Sequence, residues 1–92
     1  MKDIEGYEGL YAADEGGRIW SHRQRKFLKV WLIGHGYEMV MLYKERKPRK
    51  FLVHRLIAIT FIPNLKKLRE VNHRNAERRD NRPENLEWVS SK

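Results

Sequence analysis

The absence of cysteine most restricts what this chain can fold into, because its 92 residues must pack without disulfide bonds or thiolate-bound zinc. A domain of this size buries only about 60–65% of the surface that its unfolded chain exposes, so the core must be small. The hydrophobic fraction of 40%, with three Trp, four Tyr and three Phe, is sufficient for a folded core. The sequence therefore predicts a single domain without a cysteine nucleophile.

The positive charge of the chain is concentrated in its second half. Residues 1–43 hold six basic and six acidic side chains, whereas residues 44–92 hold fourteen basic and six acidic ones, which accounts for the whole net charge of +8. This excess predicts a polyanionic partner, either nucleic acid or an anionic membrane surface. Nucleic acid is favoured over an ordinary solvated surface because the basic residues flank polar motifs. The longest apolar run, residues 56–62, is too short to cross a bilayer, and we expect a cytoplasmic protein.

The first half of the chain has the pattern of β-strands. Alternating apolar and polar residues predict a short strand over residues 18–22, and aromatic and β-branched residues predict two more over residues 27–33 and 37–43. Glycines at positions 34 and 36 predict a hairpin turn between the last two strands. Residues 44–50 hold five basic side chains and a proline, which predicts a loop that faces phosphates.

The second half begins with a helix. Apolar residues at helical spacing begin at residue 51 and end near Pro63. Residues 70–73 then predict a short strand, residues 74–83 are polar and irregular, and residues 84–90 become apolar again. The sequence therefore predicts an α+β fold with a small antiparallel β-sheet and one helix.

Most of the histidine and aromatic residues are explained by structure rather than by function. His54 falls on the apolar helix, which favours a hydrogen-bonded structural histidine over a metal ligand. The four His are too scattered for a zinc site. Aromatic side chains on predicted strands are expected to pack in the core rather than to stack on bases. These aromatic residues are Trp20, Trp31, Tyr37 and Tyr43.

Asn72 and His73, at the end of the predicted strand 70–73, form the pair with the clearest chemistry. Hydrolysis of a phosphodiester needs a base that activates water and a cation that stabilises the crowded phosphate. A histidine beside an oxygen-bearing metal ligand supplies both. From the residues alone, a polar strand end without chemistry is at least as good an explanation of this pair.

Three ordered motifs give the chain a family resemblance. Residues 71–89 begin with Val-Asn-His, continue to Asn81, and end with Asn-Leu-Glu-Trp-Val. Residues 53–64 begin with Val-His-Arg-Leu and end with Phe-Ile-Pro-Asn, and residues 6–21 begin with Gly-Tyr-Glu-Gly-Leu-Tyr and end with Gly-Arg-Ile-Trp-Ser. In this order and spacing the motifs resemble the HNH endonucleases of phages and mobile introns, preceded by a nuclease-associated module. The resemblance spans nearly the whole chain, as residues 1–50 and 51–92.

This resemblance implies a ββα-metal fold and a role for each of three residues. His73 would be the general base that deprotonates the attacking water. Asn72, where relatives have Asp or Asn, would ligate Mg²⁺ or Mn²⁺ through its side-chain oxygen. Asn85 would hold the loop and thereby orient His73. The implied activity is metal-dependent hydrolysis of double-stranded DNA in the host cell of a phage, with the His73 ring facing a groove that attracts phosphates.

The end of the chain departs from the family pattern. In the family the last metal ligand lies on a helix about nine residues after the middle Asn, which would place it just beyond Lys92. We therefore expect the final helix of the ββα-metal motif to be truncated. Asp80 and Asn81 are the nearby oxygen-bearing substitutes. A piece of a longer nuclease, a degenerate nuclease that is retained for binding, and an unusual ligand set all remain open.

These explanations leave three functions open. They are a metal-dependent DNA endonuclease, a non-catalytic DNA-binding module, and a phage protein that blocks a host factor. Three clusters of basic residues flank the implied site, and we expect them to contact the DNA backbone rather than the bases. The clusters consist of Lys44, Arg46, Lys47, Arg49 and Lys50, then Lys66, Lys67 and Arg69, then Arg74, Arg78, Arg79 and Arg82.

Overall fold

The structure, a computed structural model, describes residues 1–90 and consists of three small antiparallel sheets around one α-helix. A short 3-10 helix, Pro83–Asn85, precedes the last strand. Among the described residues, no helix is long and apolar enough to cross a membrane. In chain order the elements are β1 (Lys2–Asp3), β2 (Tyr11–Ala13), β3 (Ile19–Ser21), β4 (Lys26–Phe27), β5 (Trp31–Leu32), β6 (Glu38–Lys44), β7 (Lys47–Leu52), α1 (Val53–Phe61), β8 (Glu70–His73) and β9 (Leu86–Val89).

The first seven strands form two sheets. Strands β1 to β4 make a meander in which each strand pairs antiparallel with the next. Strands β5, β6 and β7 make the second sheet, and six residue pairs join β6 to β7 in a two-stranded ribbon. The basic segment of residues 44–50 therefore forms the exposed end of this ribbon.

Helix α1 links these sheets to the last two strands. It begins directly after β7 without a side-chain cap and without an acidic residue in its first turn, so packing rather than capping stabilises it. Val53 and Ile57 of the helix are fully buried, together with Leu42 from β6 and Leu86 from β9. Burial of a side chain of this kind contributes about 1.5–3 kcal/mol. A single core thus holds the N-terminal sheets and the C-terminal hairpin together.

Strands β8 and β9 form an antiparallel hairpin whose connection is the polar segment of residues 74–85. Their register pairs Asn72 with Glu87 and His73 with Leu86. The indole nitrogen of Trp88 donates a hydrogen bond of 3.0 Å to the carbonyl of Ile62, which joins β9 to the end of α1. The hairpin is therefore held at a fixed position against the helix.

The predicted α+β fold is confirmed, and three local predictions are wrong. Residues 44–50 are not a loop, because most of them lie in β6 and β7. Residues 27–33 are not one strand, because they contribute to β4 in one sheet and to β5 in the other. The helix begins at residue 53 rather than 51. The truncated final helix of the implied ββα-metal motif falls beyond the described residues.

Gly17 lies where the N-terminal meander meets the segment before β9. Its φ is +86°, and a Cβ added to it would lie 2.6 Å from the backbone carbon of Asn81. We expect Gly17→Ala to lower the free energy of unfolding by about 2–4 kcal/mol, because both the left-handed backbone and this contact oppose a side chain. Urea unfolding measures the loss. Gly34→Ala is the matched control, since a Cβ there meets no atom within 4 Å, and equal losses in the two variants would contradict the prediction.

Candidate active site

Strand β8 points its last two side chains in opposite directions. Asn72 is exposed, whereas only 6% of His73 is exposed, as the alternation of a β-strand requires. The sequence predicted a His73 ring that faces an open groove. The ring is more enclosed than that prediction. Its immediate surroundings include a cleft of about 180 Å³ that is lined by Tyr37, Val71, Asn72, His73, Ala76 and Arg78.

Asn85 closes the segment that connects β8 to β9. Its Oδ1 accepts a hydrogen bond of 3.1 Å from the backbone N–H of Asn75, and its Nδ2 donates one of 2.8 Å to the carbonyl of Asp80. Its own carbonyl accepts a hydrogen bond of 2.7 Å from the backbone N–H of Arg74, the residue after His73. The side chain and backbone of this buried residue therefore fix the chain on the C-terminal side of His73.

A hydrogen-bonded chain of side chains leads from His73 to the second sheet. His73 Nε2 lies 2.8 Å from Asn81 Oδ1, and Asn81 Nδ2 donates a hydrogen bond of 3.0 Å to Glu38 Oε1. The other oxygen of Glu38 lies 3.4 Å from Arg79 Nε. No pattern in the sequence identified Glu38, which lies 35 residues before His73. Asn81 belongs to the motif of residues 71–89, and this position in the motif is the sequence signal that could have identified it as a site residue.

The rings of Tyr37 and His54 pack against the ring of His73. The His54 and His73 ring centroids lie 4.9 Å apart, and Tyr37 lies 5.1 Å from His54 and 5.9 Å from His73. The expectation that His54 is hydrogen-bonded is wrong for one atom, because its Nδ1 is fully buried without a partner among the described residues. The pKa of His54 is lowered to about 4, mainly by burial and to a smaller extent by the neighbouring His73 and Arg55. His54 is therefore a neutral packing residue at neutral pH.

The lowered pKa of His54 makes the stability of the fold depend on pH. Because this folded-state value of about 4 lies below the ordinary 6.5, the unfolded chain takes up a proton first as the pH falls. We expect the His54 contribution to the free energy of unfolding to be complete above pH 6.5 and to decline towards pH 4, by up to about 1.4 kcal/mol per pH unit. Urea unfolding over this range measures it. His54→Gln should have a smaller slope, and an identical slope would contradict the assignment.

Asn72, the metal ligand that the family resemblance implies, has a side-chain oxygen without a hydrogen bond in residues 1–90. Its Nδ2 donates a hydrogen bond of 2.8 Å to Glu87 Oε2, which leaves its Oδ1 as an acceptor. An amide oxygen is a ligand that a hard cation such as Mg²⁺ or Mn²⁺ accepts, so Asn72 fits such an ion. The two Glu87 oxygens are paired with Asn72 Nδ2 and with Arg74 Nη1. In residues 1–90 no three His, Cys, Asp or Glu side chains converge, and water and substrate phosphate would complete the coordination, as is usual for Mg²⁺.

Asp80 and Asn81, the possible substitutes for a further ligand, are engaged in other contacts. Both Asp80 oxygens accept hydrogen bonds of 2.7 Å from Arg82, and these bonds hold the pKa of Asp80 well below its usual range. Asn81 lies between the side chains of His73 and Glu38. Neither side chain is positioned as a metal ligand in this arrangement.

All twelve predicted DNA-binding side chains are exposed. The cluster of residues 44–50 lies on the β6–β7 ribbon, and the cluster of residues 66–69 lies between α1 and β8. The four arginines of the third cluster contact other groups of the protein. Three form ion pairs, Arg74 with Glu87, Arg79 with Glu38 and Arg82 with Asp80, and Arg78 donates a hydrogen bond to the carbonyl of His35. The first two clusters therefore offer the cations that are most open to phosphates.

The aromatic residues that were expected in the core divide into two groups. Trp20 and Tyr37 are partly buried, and Trp20 packs edge-to-face on Phe27 with centroids 5.0 Å apart. Trp31 and Tyr43 are 40% and 54% exposed, so the core prediction is wrong for these two. Trp31 lies on β5, and Tyr43 lies near the end of β6.

Comparisons with known proteins find similarity to HNH endonucleases. Residues 51–92 match the HNH endonuclease family model. The chain is 37% identical over 91 residues to the DNA endonuclease I-HmuI of Bacillus phage SP01. This alignment covers 99% of this chain and 52% of the relative. It is 35% identical to the SPβ prophage-derived putative HNH homing endonuclease YosQ of Bacillus subtilis (strain 168), with the same coverage of 99% and 52%.

The solved structure of I-HmuI, which describes DNA binding and cleavage by that HNH homing endonuclease, superposes with a TM-score of 0.88 at 38% identity. The superposition covers 97% of this chain and 51% of that chain. The present chain thus spans about half the length of these relatives.

Proposed function

We propose that this chain, which is similar to the HNH endonucleases of the phage and homing type, is a DNA endonuclease that hydrolyses phosphodiester bonds with a divalent metal ion. The observation that carries this proposal is the adjacency of Asn72 and His73 at the end of β8, with the segment after them closed by Asn85. Double-stranded DNA is the proposed substrate, and the cytoplasm of a phage host is the proposed location.

The proposed mechanism assigns the proton transfer to His73. The ring would take a proton from the attacking water, while Asn85 holds the backbone that follows His73 and limits its movement. Asn72 would hold the metal ion through its Oδ1, since its Nδ2 is bound to Glu87. When bound, a divalent cation stabilises charge on the phosphate and on the departing oxygen. The neutral Asn72 binds a cation more weakly than an aspartate would, and the charge of the neighbouring Glu87 is offset by Arg74, 3.4 Å away.

The β6–β7 ribbon is the proposed contact with the DNA backbone. For a complex of this kind, log K falls with log salt concentration with a slope of about −0.9 per phosphate contacted. We expect the triple variant Lys47→Gln, Arg49→Gln and Lys50→Gln to bind DNA more weakly and to reduce the slope by about 0.9 for each phosphate that it no longer neutralises. Fluorescence anisotropy with a labelled duplex at several salt concentrations measures this.

A matched control removes the same charge elsewhere. Lys2, Lys26 and Lys29 are exposed cations of the electrically balanced half of the chain. Their replacement by glutamine should leave the slope close to that of the wild type, because these residues lie outside the three basic clusters. Equal effects of the two triple variants would mean that net charge alone, rather than the ribbon, determines binding. A slope near zero for the wild type would contradict the proposal that the chain binds DNA.

A non-catalytic DNA-binding module is the second candidate function. The observation that favours it is the enclosure of His73, of which 6% is exposed, together with the engagement of Asp80 and Asn81 in other contacts. Such a module would retain the salt dependence and the basic ribbon. It would not convert supercoiled plasmid to the nicked form with Mg²⁺ or Mn²⁺, which distinguishes the two functions.

A further inference from the structure

We propose that Glu38 and Asn81 are positioning residues that set the tautomer of His73, so that its Nε2 carries the hydrogen and its Nδ1 is the basic atom. This inference rests on the proposed function of His73 as a general base. The observation that carries it is the continuous chain of contacts from His73 through Asn81 to Glu38. Its consequence is that a residue of the second sheet determines which nitrogen of His73 takes the proton.

The direction of the chain follows from what each group can donate or accept. An ionised carboxylate only accepts hydrogen bonds, so Asn81 must turn its Nδ2 towards Glu38. The Oδ1 of Asn81 then faces His73, and an amide oxygen only accepts. His73 Nε2, 2.8 Å away, must therefore be the donor. In a neutral imidazole the other nitrogen, Nδ1, then holds the free lone pair.

Burial makes the opposite orientation of Asn81 unfavourable. Asn81 is 2% exposed and the Glu38 side chain is 13% exposed. A flipped amide would place its oxygen against the Glu38 carboxylate, and two buried acceptors that face each other both lose a partner. The Arg79 guanidinium, 3.4 Å from the second Glu38 oxygen, donates to that oxygen, so both oxygens of the carboxylate act as acceptors.

The N-terminal sheets also fix the backbone of Asn81. Gly17 lies so close to Asn81 that a side chain at position 17 would overlap with its carbonyl. Glu38, on β6, holds the side chain of the same residue. In residues 1–90, the only fully buried side-chain nitrogen or oxygen without a hydrogen-bond partner is Nδ1 of His54. The Nδ1 of His73 also has no hydrogen bond in this part of the chain, so it is not fully buried and retains access to the surface.

Two isosteric substitutions test this arrangement. Glu38→Gln allows position 38 to donate as well as to accept, so Asn81 loses its fixed orientation. Asn81→Asp places a second carboxylate against Glu38. The double variant restores a directed chain, because the new amide at position 38 can donate to the new carboxylate at position 81, which accepts from His73 Nε2. We expect each single variant to lower kcat about ten- to hundredfold with little change in KM, and the double variant to recover most of the loss.

The direct readout is the tautomer of His73, measured by nitrogen-15 NMR of labelled histidine above the ordinary imidazole pKa of about 6.5. Wild type and double variant should show a protonated Nε2 and an unprotonated Nδ1, and Glu38→Gln should show a mixture. Glu5→Gln, which removes an exposed carboxylate, is the control and should match the wild type. Urea unfolding of each variant separates loss of fold from loss of position.

The possible outcomes separate this inference from the proposed function. A protonated Nδ1 in the wild type, or an unchanged tautomer in Glu38→Gln, would overturn the inference. A changed tautomer with unchanged nicking would also overturn it, because position would then not matter for the reaction. If the wild type shows the expected tautomer pattern but nicks no DNA, the fixed tautomer of His73 is supported. Only the proposed nuclease function is then contradicted.

Discussion

We expect His73→Ala to lower the rate of plasmid nicking by about 10²–10⁴-fold, because a positioned general base contributes this much to a proton transfer. His73 is the histidine next to Asn72, the proposed metal ligand, and the closed segment after it limits its movement. Alanine removes the ring without adding charge. The measurement is the conversion of supercoiled plasmid to nicked circle with Mg²⁺ present, at matched protein concentrations.

The control for this prediction is His35→Asn. His35 has φ +79° in the turn between β5 and β6, a conformation that asparagine adopts readily, and Arg78 contacts only its backbone oxygen. This variant should nick at the wild-type rate. Equal rates for the wild type and His73→Ala would mean that another base acts or that the activity belongs to a contaminating nuclease.

The second large effect is expected for Asn85→Ala, in stability as well as in activity. The change removes the acceptor of the Asn75 N–H and the donor to the Asp80 carbonyl at a residue that is 6% exposed. We expect the free energy of unfolding to fall by about 2–3 kcal/mol, because hydrogen bonds at a buried residue are removed. Nicking should fall about ten- to hundredfold, since the segment that orients His73 becomes mobile.

Asn64 provides a matched control for this substitution. Its side chain also closes a short loop, with Nδ2 donating to the Leu68 carbonyl at 2.8 Å and Oδ1 accepting from the Leu68 N–H at 2.9 Å. Asn64→Ala should therefore cost stability, while nicking at saturating DNA is retained. If the two variants lose activity in proportion to stability alone, Asn85 has no specific role in orienting His73.

The residues of the candidate site were predictable where they belong to one contiguous motif. Asn72, His73 and Asn85 lie within 14 residues of each other in the chain, and the hairpin register keeps them together. Glu38 could not be found in this way, because its contact with Asn81 spans 43 residues and exists only once the second sheet packs beside the hairpin. A lone glutamate in an alternating strand carries no sequence signal for such a contact.

The β6–β7 ribbon shows why basic segments are difficult to assign from sequence. Its turn places Glu45 and Arg46 at φ +52° and +66°, a geometry that is usually signalled by Asn-Gly or Asp-Gly. Pro48 suggested a loop, yet it lies opposite Tyr43 on an edge strand, where a missing N–H is tolerated. Packing context outweighs intrinsic preference at such positions.

The most direct test of the nuclease assignment is the metal dependence of plasmid nicking by the wild-type chain. We expect supercoiled plasmid to be converted to nicked circle with Mg²⁺ or Mn²⁺, a chelator to stop the conversion, and added metal ion to restore it. Plasmid that stays supercoiled with either ion, under salt conditions in which the chain binds DNA, would contradict the nuclease assignment and leave a DNA-binding module.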